Sequence, residues 1–167
     1  MNKPNPTTVV KDMVARSIVV SREFAAPVAL VWRAYSESAL LDQWWGPSPW
    51  RAETRHMDFS VGGHWLYAMV GPQQERHWGR MNYLAIDLHR RIDIEDVFCD
   101  DQGRADPDLP TSRGHMTFVA TSTGTRVDFE MRYQTEAELQ KIIEMGFEQG
   151  ITVCLEQLAT LLARVSP

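Results

Sequence analysis

Arg126-Val127-Asp128-Phe129-Glu130-Met131-Arg132-Tyr133 alternates charged and apolar side chains, and Thr135-Glu136-Ala137-Glu138 follows almost at once. The alternation predicts a strand with one buried face. Thr135-Glu136-Ala137-Glu138 is a capping box, with Thr135 as N-cap and Glu138 reaching back. It opens a long amphipathic helix to about Arg164, along which Leu139, Ile142, Ile143, Phe147, Val153, Leu158, Leu161 and Leu162 recur at helical spacing. A half-buried strand that runs into a long half-buried helix must hide two apolar faces. The simplest solution is to lay one against the other.

Working back toward the N-terminus, the strand language continues. His115 to Thr121, Arg91 to Phe98 and His77 to Ile86 read as strands, as do Trp65, Tyr67 and Met69 in alternation after Gly62-Gly63. Ser17-Ile18-Val19-Val20-Ser21-Arg22-Glu23-Phe24 is rich in β-branched residues and reads as the first long strand. Two short helices follow it, about Val28 to Tyr35 and Ala39 to Trp44, the first opened by Pro27. Residues 1–15 read as a polar arm with a short strand at Val9-Val10, and 16–165 as a single domain. The expected fold is α+β: a curved antiparallel sheet wrapped around a long C-terminal helix, with two short helices after the first strand.

Composition limits the function. The chain has 167 residues, 44% hydrophobic and 23% charged, with a net charge of −5, which disfavours a nucleic-acid partner. No run of about 18 apolar residues is present, so no membrane span is expected. The polar, proline-broken start Met1-Asn2-Lys3-Pro4-Asn5-Pro6 lacks the apolar block of a secretory signal. With Cys99 and Cys154 read as buried reduced thiols, a cytoplasmic protein is expected. The five histidines show no metal-ligand spacing, and no nucleotide fingerprint or activated-serine motif occurs. No metal, no cofactor and no catalytic nucleophile are therefore expected. The acidic, proline-bearing stretch Asp100 to Arg113 reads as a solvated loop long enough to cover a cavity mouth, and Val70-Gly71-Pro72-Gln73-Gln74 as a turn that could do the same.

Several motifs occur together in order: Arg22-Glu23-Phe24-Ala25-Ala26-Pro27, Val31-Trp32, Trp44-Trp45-Gly46-Pro47, Met57-Asp58-Phe59, Gly62-Gly63-His64-Trp65, Tyr67-Ala68-Met69 and Glu144-Met145-Gly146-Phe147-Glu148-Gln149-Gly150. With these the chain resembles, over about residues 16 to 164, the bacterial relatives of the Hsp90 ATPase activator's C-terminal domain. Those belong to the START-like (SRPBCC) helix-grip superfamily. The resemblance implies a sheet gripping the last helix, with a cavity between them that in many relatives holds an apolar ligand. Relatives also include aromatic polyketide cyclases and a chaperone regulator. The separate N-terminal domain of the eukaryotic activator is therefore not expected in this chain.

Candidate site residues follow from that frame. Trp44 and Trp45 cannot both enter one narrow core, so one must pack while the other lines a mouth or a cavity. Gly146 and Gly150 fall on one face of the last helix and would leave space beneath it. Trp65, Tyr67, Met69, Trp78, Phe98, Phe118, Met131 and Phe147, with Phe129, supply a stripe of large rings and thioethers, either plain core or a pocket lining. Asp96 alternates with Ile92, Ile94 and Phe98 and should face inward. It would then need a partner such as Arg22 or a raised pKa, unless a bulge turns it to solvent. The leading expectation is a small hydrophobic or aromatic ligand held by Trp45, Trp65, Tyr67, Met69, Trp78, Asp96, Phe98, Phe118, Met131, Gly146, Phe147 and Gly150. A protein partner gripped by Trp44, Trp45 and Trp50 is one alternative. An enzyme of the cyclase or dehydratase kind, with Asp96, Tyr67 or His77 as acid/base, is the other. Oligomeric state is left open.

Overall fold

The fold was obtained as a computed structural model, which describes residues 6–165. Its elements are β1 Thr8–Asp12, β2 Ser17–Phe24, α1 Val28–Ser36, α2 Ser38–Leu41, β3 Arg51–Met57, β4 His64–Val70, β5 Arg76–Asp87, β6 Arg91–Cys99, β7 Ser112–Ala120, β8 Thr125–Arg132, α3 Glu136–Glu144 and α4 Phe147–Arg164. The strands form one sheet in the order β1-β2-β8-β7-β6-β5-β4-β3, every neighbour antiparallel. From β3 to β8 the chain meanders through hairpins. The passage from β2 to β3 must cross nearly the whole sheet, and α1 and α2 make that crossing, α1 packing on α4 and β7. The curved sheet and α4 therefore enclose a space floored by strands, roofed by α4 and closed at one end by α1.

Period-two alternation fixes which residues look into that space. On β8, Val127, Phe129 and Met131 are buried, and on β2 Ile18, Val20, Arg22 and Phe24 are, while α4 supplies Ile151, Cys154, Leu155, Leu158, Leu161 and Leu162. Arg22 is a buried cation in this apolar row, and its partner is Glu156 on α4, with Nη1 at 2.8 Å from the carboxylate. Its guanidinium also lies 5.5 Å from the Phe24 ring centroid. The ion pair expected between Arg22 and Asp96 is therefore corrected. α4 lies directly over Arg22 and takes the charge, whereas Asp96 sits on β6, several strands away.

The strand expected at Val9-Val10 extends over Thr8–Asp12 and pairs with β2, so part of the segment read as an arm is an edge of the sheet. Residues 1–5 of that arm lie outside the described residues. β3 was not foreseen; it is the opposite edge. The Thr135 hydroxyl caps α3 by accepting from the Glu138 N–H at 3.1 Å. The Glu138 carboxylate reaches back to the N–H of Gln134 rather than to that of Thr135.

The single long C-terminal helix is also corrected. It is two helices, broken at Met145-Gly146, where Gly146 takes φ +89° and serves as N-cap of α4. Glycine reaches that left-handed region without steric cost, so the chain can leave α3 and restart. Gly146 is thus a hinge between helices, not the missing side chain of a helix interior.

Candidate functional site

At the end of the enclosed space away from α1, the core gives way to a cavity of about 190 Å³. Its floor comes from Tyr67 and Met69 of β4, Asp96 and Phe98 of β6, Ser112 of β7, Phe129 and Met131 of β8 and the adjoining Tyr133. Its roof is Ile142 of α3 with Phe147, Gly150, Ile151 and Cys154 of α4, and Trp45 and Pro47 close one side. The hollow exists partly because Gly150 offers no side chain; a Cβ there would meet only Pro47 Cγ, at 3.7 Å. An open groove of about 390 Å³ shares Pro47, Tyr67, Met69 and Phe98 with the cavity and adds Trp50, His77, Trp78, Gly79 and Met145. That groove is the mouth. The loop after α2, the β4–β5 edge and the α3–α4 break meet there.

The two neighbouring tryptophans divide their work. Trp44 is 1% exposed; its indole donates to the Ala34 carbonyl at 2.9 Å, and its ring meets Tyr35 edge-on at 4.9 Å. Trp45 lines the cavity and stands edge-on to Trp65 and Tyr67 at 5.7 and 6.3 Å. Trp44 therefore cannot serve as a surface anchor for a partner protein, because its ring is spent in the core.

The turn that presents Trp45 is held from α4. Gln157 donates to the carbonyls of Trp44 and Gly46 at 3.0 and 2.8 Å and accepts from the Ser48 N–H at 2.9 Å. The Gly46 N–H also points to Cys154 Sγ at 3.3 Å. Gln157 was not anticipated, and nothing in a lone polar residue on an amphipathic helix marks it out. Replacing it with leucine leaves two carbonyls and an N–H without protein partners at a partly solvated site. This should cost about 1–2 kcal/mol. Hydrogen exchange should quicken in residues 44–50 while β8 amides keep their protection; unchanged exchange in that turn would remove Gln157 from its positioning role.

Tyr67 lies across the sheet because Gly79 opposite it has no side chain. A Cβ at Gly79 would come within 2.8 Å of the tyrosine hydroxyl. Tyr67 stacks on Trp65 with centroids 4.1 Å apart, and the Trp65 indole donates to Thr54 at 2.9 Å. Asp96 faces the cavity beside Tyr67 and Tyr133 and takes part in no ion pair among the described residues. Burial raises its pKa to about 6, against which the Val97 backbone N–H works weakly. Burial first, and the Asp96 charge second, push the Tyr67 and Tyr133 hydroxyls up as well. Burial also raises the Cys99 and Cys154 thiols to about 11, so both stay protonated at neutral pH.

Of the residues expected around a ligand, Trp45, Tyr67, Met69, Asp96, Phe98, Met131, Phe147 and Gly150 surround this cavity. Four do not. Trp65, 1% exposed, lies behind Tyr67 in the core. Phe118 is packed edge-on to Trp32 and Tyr35 at 5.0 and 5.2 Å, at the filled end beneath α1. Trp78 reaches only the mouth groove, its side chain on the outer face of β5 opposite Ala68 and Cys99, with the Arg55 guanidinium 5.6 Å from its ring centroid. Gly146 occupies the helix break, with open space where a Cβ would stand. The bulge that would have turned Asp96 outward is absent, since Asp96 keeps its ladder partners Met81 and Ser112. Of the candidate acid/base groups, Asp96 and Tyr67 face the cavity, while His77 stays at the mouth, 5.5 Å from the Trp50 ring. The loop after β6 lines no part of the cavity wall; Lys141 ties it to α3 through the Asp108 carbonyl at 2.9 Å. Among the described residues no helix is long and apolar enough to cross a membrane, and no group of three or more His, Cys, Asp or Glu is placed to hold a metal ion.

Solved structures share this architecture. A Mycobacterium smegmatis protein superposes with a TM-score of 0.88 at 30% identity, covering 97% of this chain and all of its own. An Arthrobacter aurescens protein does so with 0.89 at 29% identity, covering 95% of this chain and 92% of its own. The protein AHSA1 of Silicibacter pomeroyi, at 23% identity and a TM-score of 0.67 over 88% of this chain and 97% of its own, shares the fold. A search of curated proteins finds no match. The family of Activator of Hsp90 ATPase homolog 1-like proteins matches residues 25–163. With that match over most of its length, and a helix-grip sheet closed on a C-terminal helix, the chain belongs to the Activator of Hsp90 ATPase homolog 1-like family.

Proposed function

We propose that this protein binds a small hydrophobic or aromatic molecule in the cavity between the C-terminal helix and the sheet. The observation that carries the reading is the hollow itself. Well-packed interiors leave few voids larger than a water molecule, yet here about 190 Å³ stays open among aromatic and aliphatic side chains, next to a mouth. Apolar walls with a few convergent polar groups, here Asp96, Ser112 and the two tyrosines, are the usual make-up of a small-molecule site. Burial at roughly 25 cal/mol per Å² of apolar surface supplies micromolar affinity for a ligand of this size without any covalent step. The chaperone connection in the family name is left to those relatives that carry it. Trp44, one of the three tryptophans that reading relies on, is consumed by the core.

Filling the hollow from α4 tests the reading. Gly150→Leu places a branched side chain into the roof, and the uncharged fluorophore N-phenyl-1-naphthylamine should then bind at least about tenfold more weakly than to the parent. Gly150→Ala fits the space and should retain binding. Both variants should fold at least as well as the parent, because glycine in a helix interior costs about 1 kcal/mol relative to alanine. Equal probe affinity in a folded Gly150→Leu protein would sink the cavity as the binding site.

A further inference from the structure

The cavity wall is lopsided in charge. Among the described residues it carries one ionisable carboxylate, Asp96, and six aromatic rings, and no lysine, arginine or histidine is part of it. Among the described residues the strand cations on the inner face, Arg22 and Lys11, are already engaged by Glu156 and Glu148 of α4. Ring faces carry negative electrostatic potential, so they favour the same kind of guest as a carboxylate does. Such a guest is a cation on an apolar body. A carboxylic acid or a phosphate would meet Asp96 as a like charge and find no basic group to receive it. A neutral guest would leave the carboxylate without a counter-charge in surroundings that disfavour bare ions.

We propose that the cavity takes an organic amine, its ammonium group against Asp96 between Tyr67 and Tyr133 and its hydrocarbon or aromatic body against Phe98, Phe129 and Phe147. This rests on the cavity being the ligand site argued above and adds the chemical class of its occupant. The ammonium donates to the carboxylate, and the two hydroxyls complete its shell in place of water. Cation and carboxylate together form a charge-assisted hydrogen bond, stronger than its neutral counterpart. The titratable groups facing Asp96 are Tyr67 from β4, Tyr133 after β8 and Cys154 from α4, while α3 brings only Ile142 and Cys99 of its own strand lies on the outer face. The tyrosines and thiols stay neutral through the physiological range. His77 lies at the mouth, outside the cavity wall.

Three ligands on one skeleton test the proposal: 4-phenylbutylamine, 4-phenylbutanol and 4-phenylbutyric acid, titrated by calorimetry and by displacement of N-phenyl-1-naphthylamine. At pH 7.5 the amine should bind at least about tenfold tighter than the alcohol, and the acid weakest. The amine's advantage should shrink on going from pH 7.5 to pH 5, as Asp96 takes up a proton. Asp96→Asn should abolish both the advantage and its pH dependence while leaving alcohol binding in place. His77→Gln should change neither. If the naphthyl probe binds but the alcohol or the acid matches the amine, the amine proposal is overturned and the cavity reading stands. If no ligand binds, the probe included, both fall.

Discussion

Replacing Gly46 with alanine is expected to lower folding stability by on the order of 3–5 kcal/mol. Gly46 follows the two tryptophans and takes φ +113°, where an L side chain is strained whatever the space around it. Space is lacking too. A Cβ would come within 2.9 Å of the Ala52 nitrogen and the Arg51 carbonyl carbon, both backbone, and within 2.8 Å of the Met69 sulfur. The thioether can swing away, but the start of β3 cannot, because the Ala52 N–H is bonded to the Trp45 carbonyl at 2.8 Å. Relief requires the turn to lift from β3, which also breaks the bonds Gln157 donates and the one Gly46 donates to Cys154. For a chain of this length the loss corresponds to a fall in thermal midpoint of roughly 10 °C or more. Calorimetry of parent and variant decides it, and a change below about 1 kcal/mol would show that the turn tolerates another geometry. The cavity should fail with the turn, so probe binding is expected to be lost well below the variant's own melting temperature.

The contrast between Gly46 and Gly146 shows how far the sequence could be read. Both have positive φ, but Gly46-Pro47 announces a helix stop in its own letters, whereas Gly146 interrupts an apolar spacing that runs on from Ile142 through Phe147 to Ile151 as if unbroken. Helical periodicity records which side of an element is buried, and α3 and α4 bury compatible sides, so the break leaves no mark in the pattern. β3 was missed for the opposite reason. Among Arg51, Ala52, Glu53, Thr54, Arg55, His56 and Met57 only Ala52 is fully buried, and an edge strand of that make-up carries no alternation to read. The site residues divide in the same way. Alternation puts Tyr67, Asp96 and Phe98 on the inner face, and they are there. It also puts Trp65 and Phe118 on that face without saying whether they lie at its packed or its hollow end. Depth along the sheet is set by α1, Trp44 and the tilt of the last helices, which are contacts distant in sequence. Trp78 needed the β4–β5 register: once His77 is paired with Met69, Trp78 must point outward.

Asp96→Asn is expected to stabilise the protein at neutral pH and to leave it unchanged in acid. The carboxyl has a pKa of about 6 in the fold against an ordinary value near 3.8. Burial is the cause, because the cavity holds no cation to favour the charged form. An acid whose pKa is raised by folding binds its proton more tightly in the native state. Between about pH 4 and pH 6 the native protein therefore holds more protons than the unfolded chain, and stability falls as pH rises through that window. Below it Asp96 is neutral in both states and adds no penalty. Above it the full difference, about two units or on the order of 3 kcal/mol, is a standing cost of keeping a carboxylate in the hollow. Asparagine keeps the shape and removes the charge. Urea denaturation of both proteins from pH 4 to pH 8 should give curves that coincide at the acid end and separate by on the order of 2–3 kcal/mol at pH 7, the variant being more stable. Parallel curves across the range would mean that water or a neighbouring group already solvates the carboxylate. A charge held at that cost, with no cationic partner among the described residues, fits a counter-charge supplied from outside the chain. Saturating 4-phenylbutylamine should then narrow the gap between parent and variant at pH 7, since a ligand that binds the native parent more tightly than the variant raises the parent's stability more.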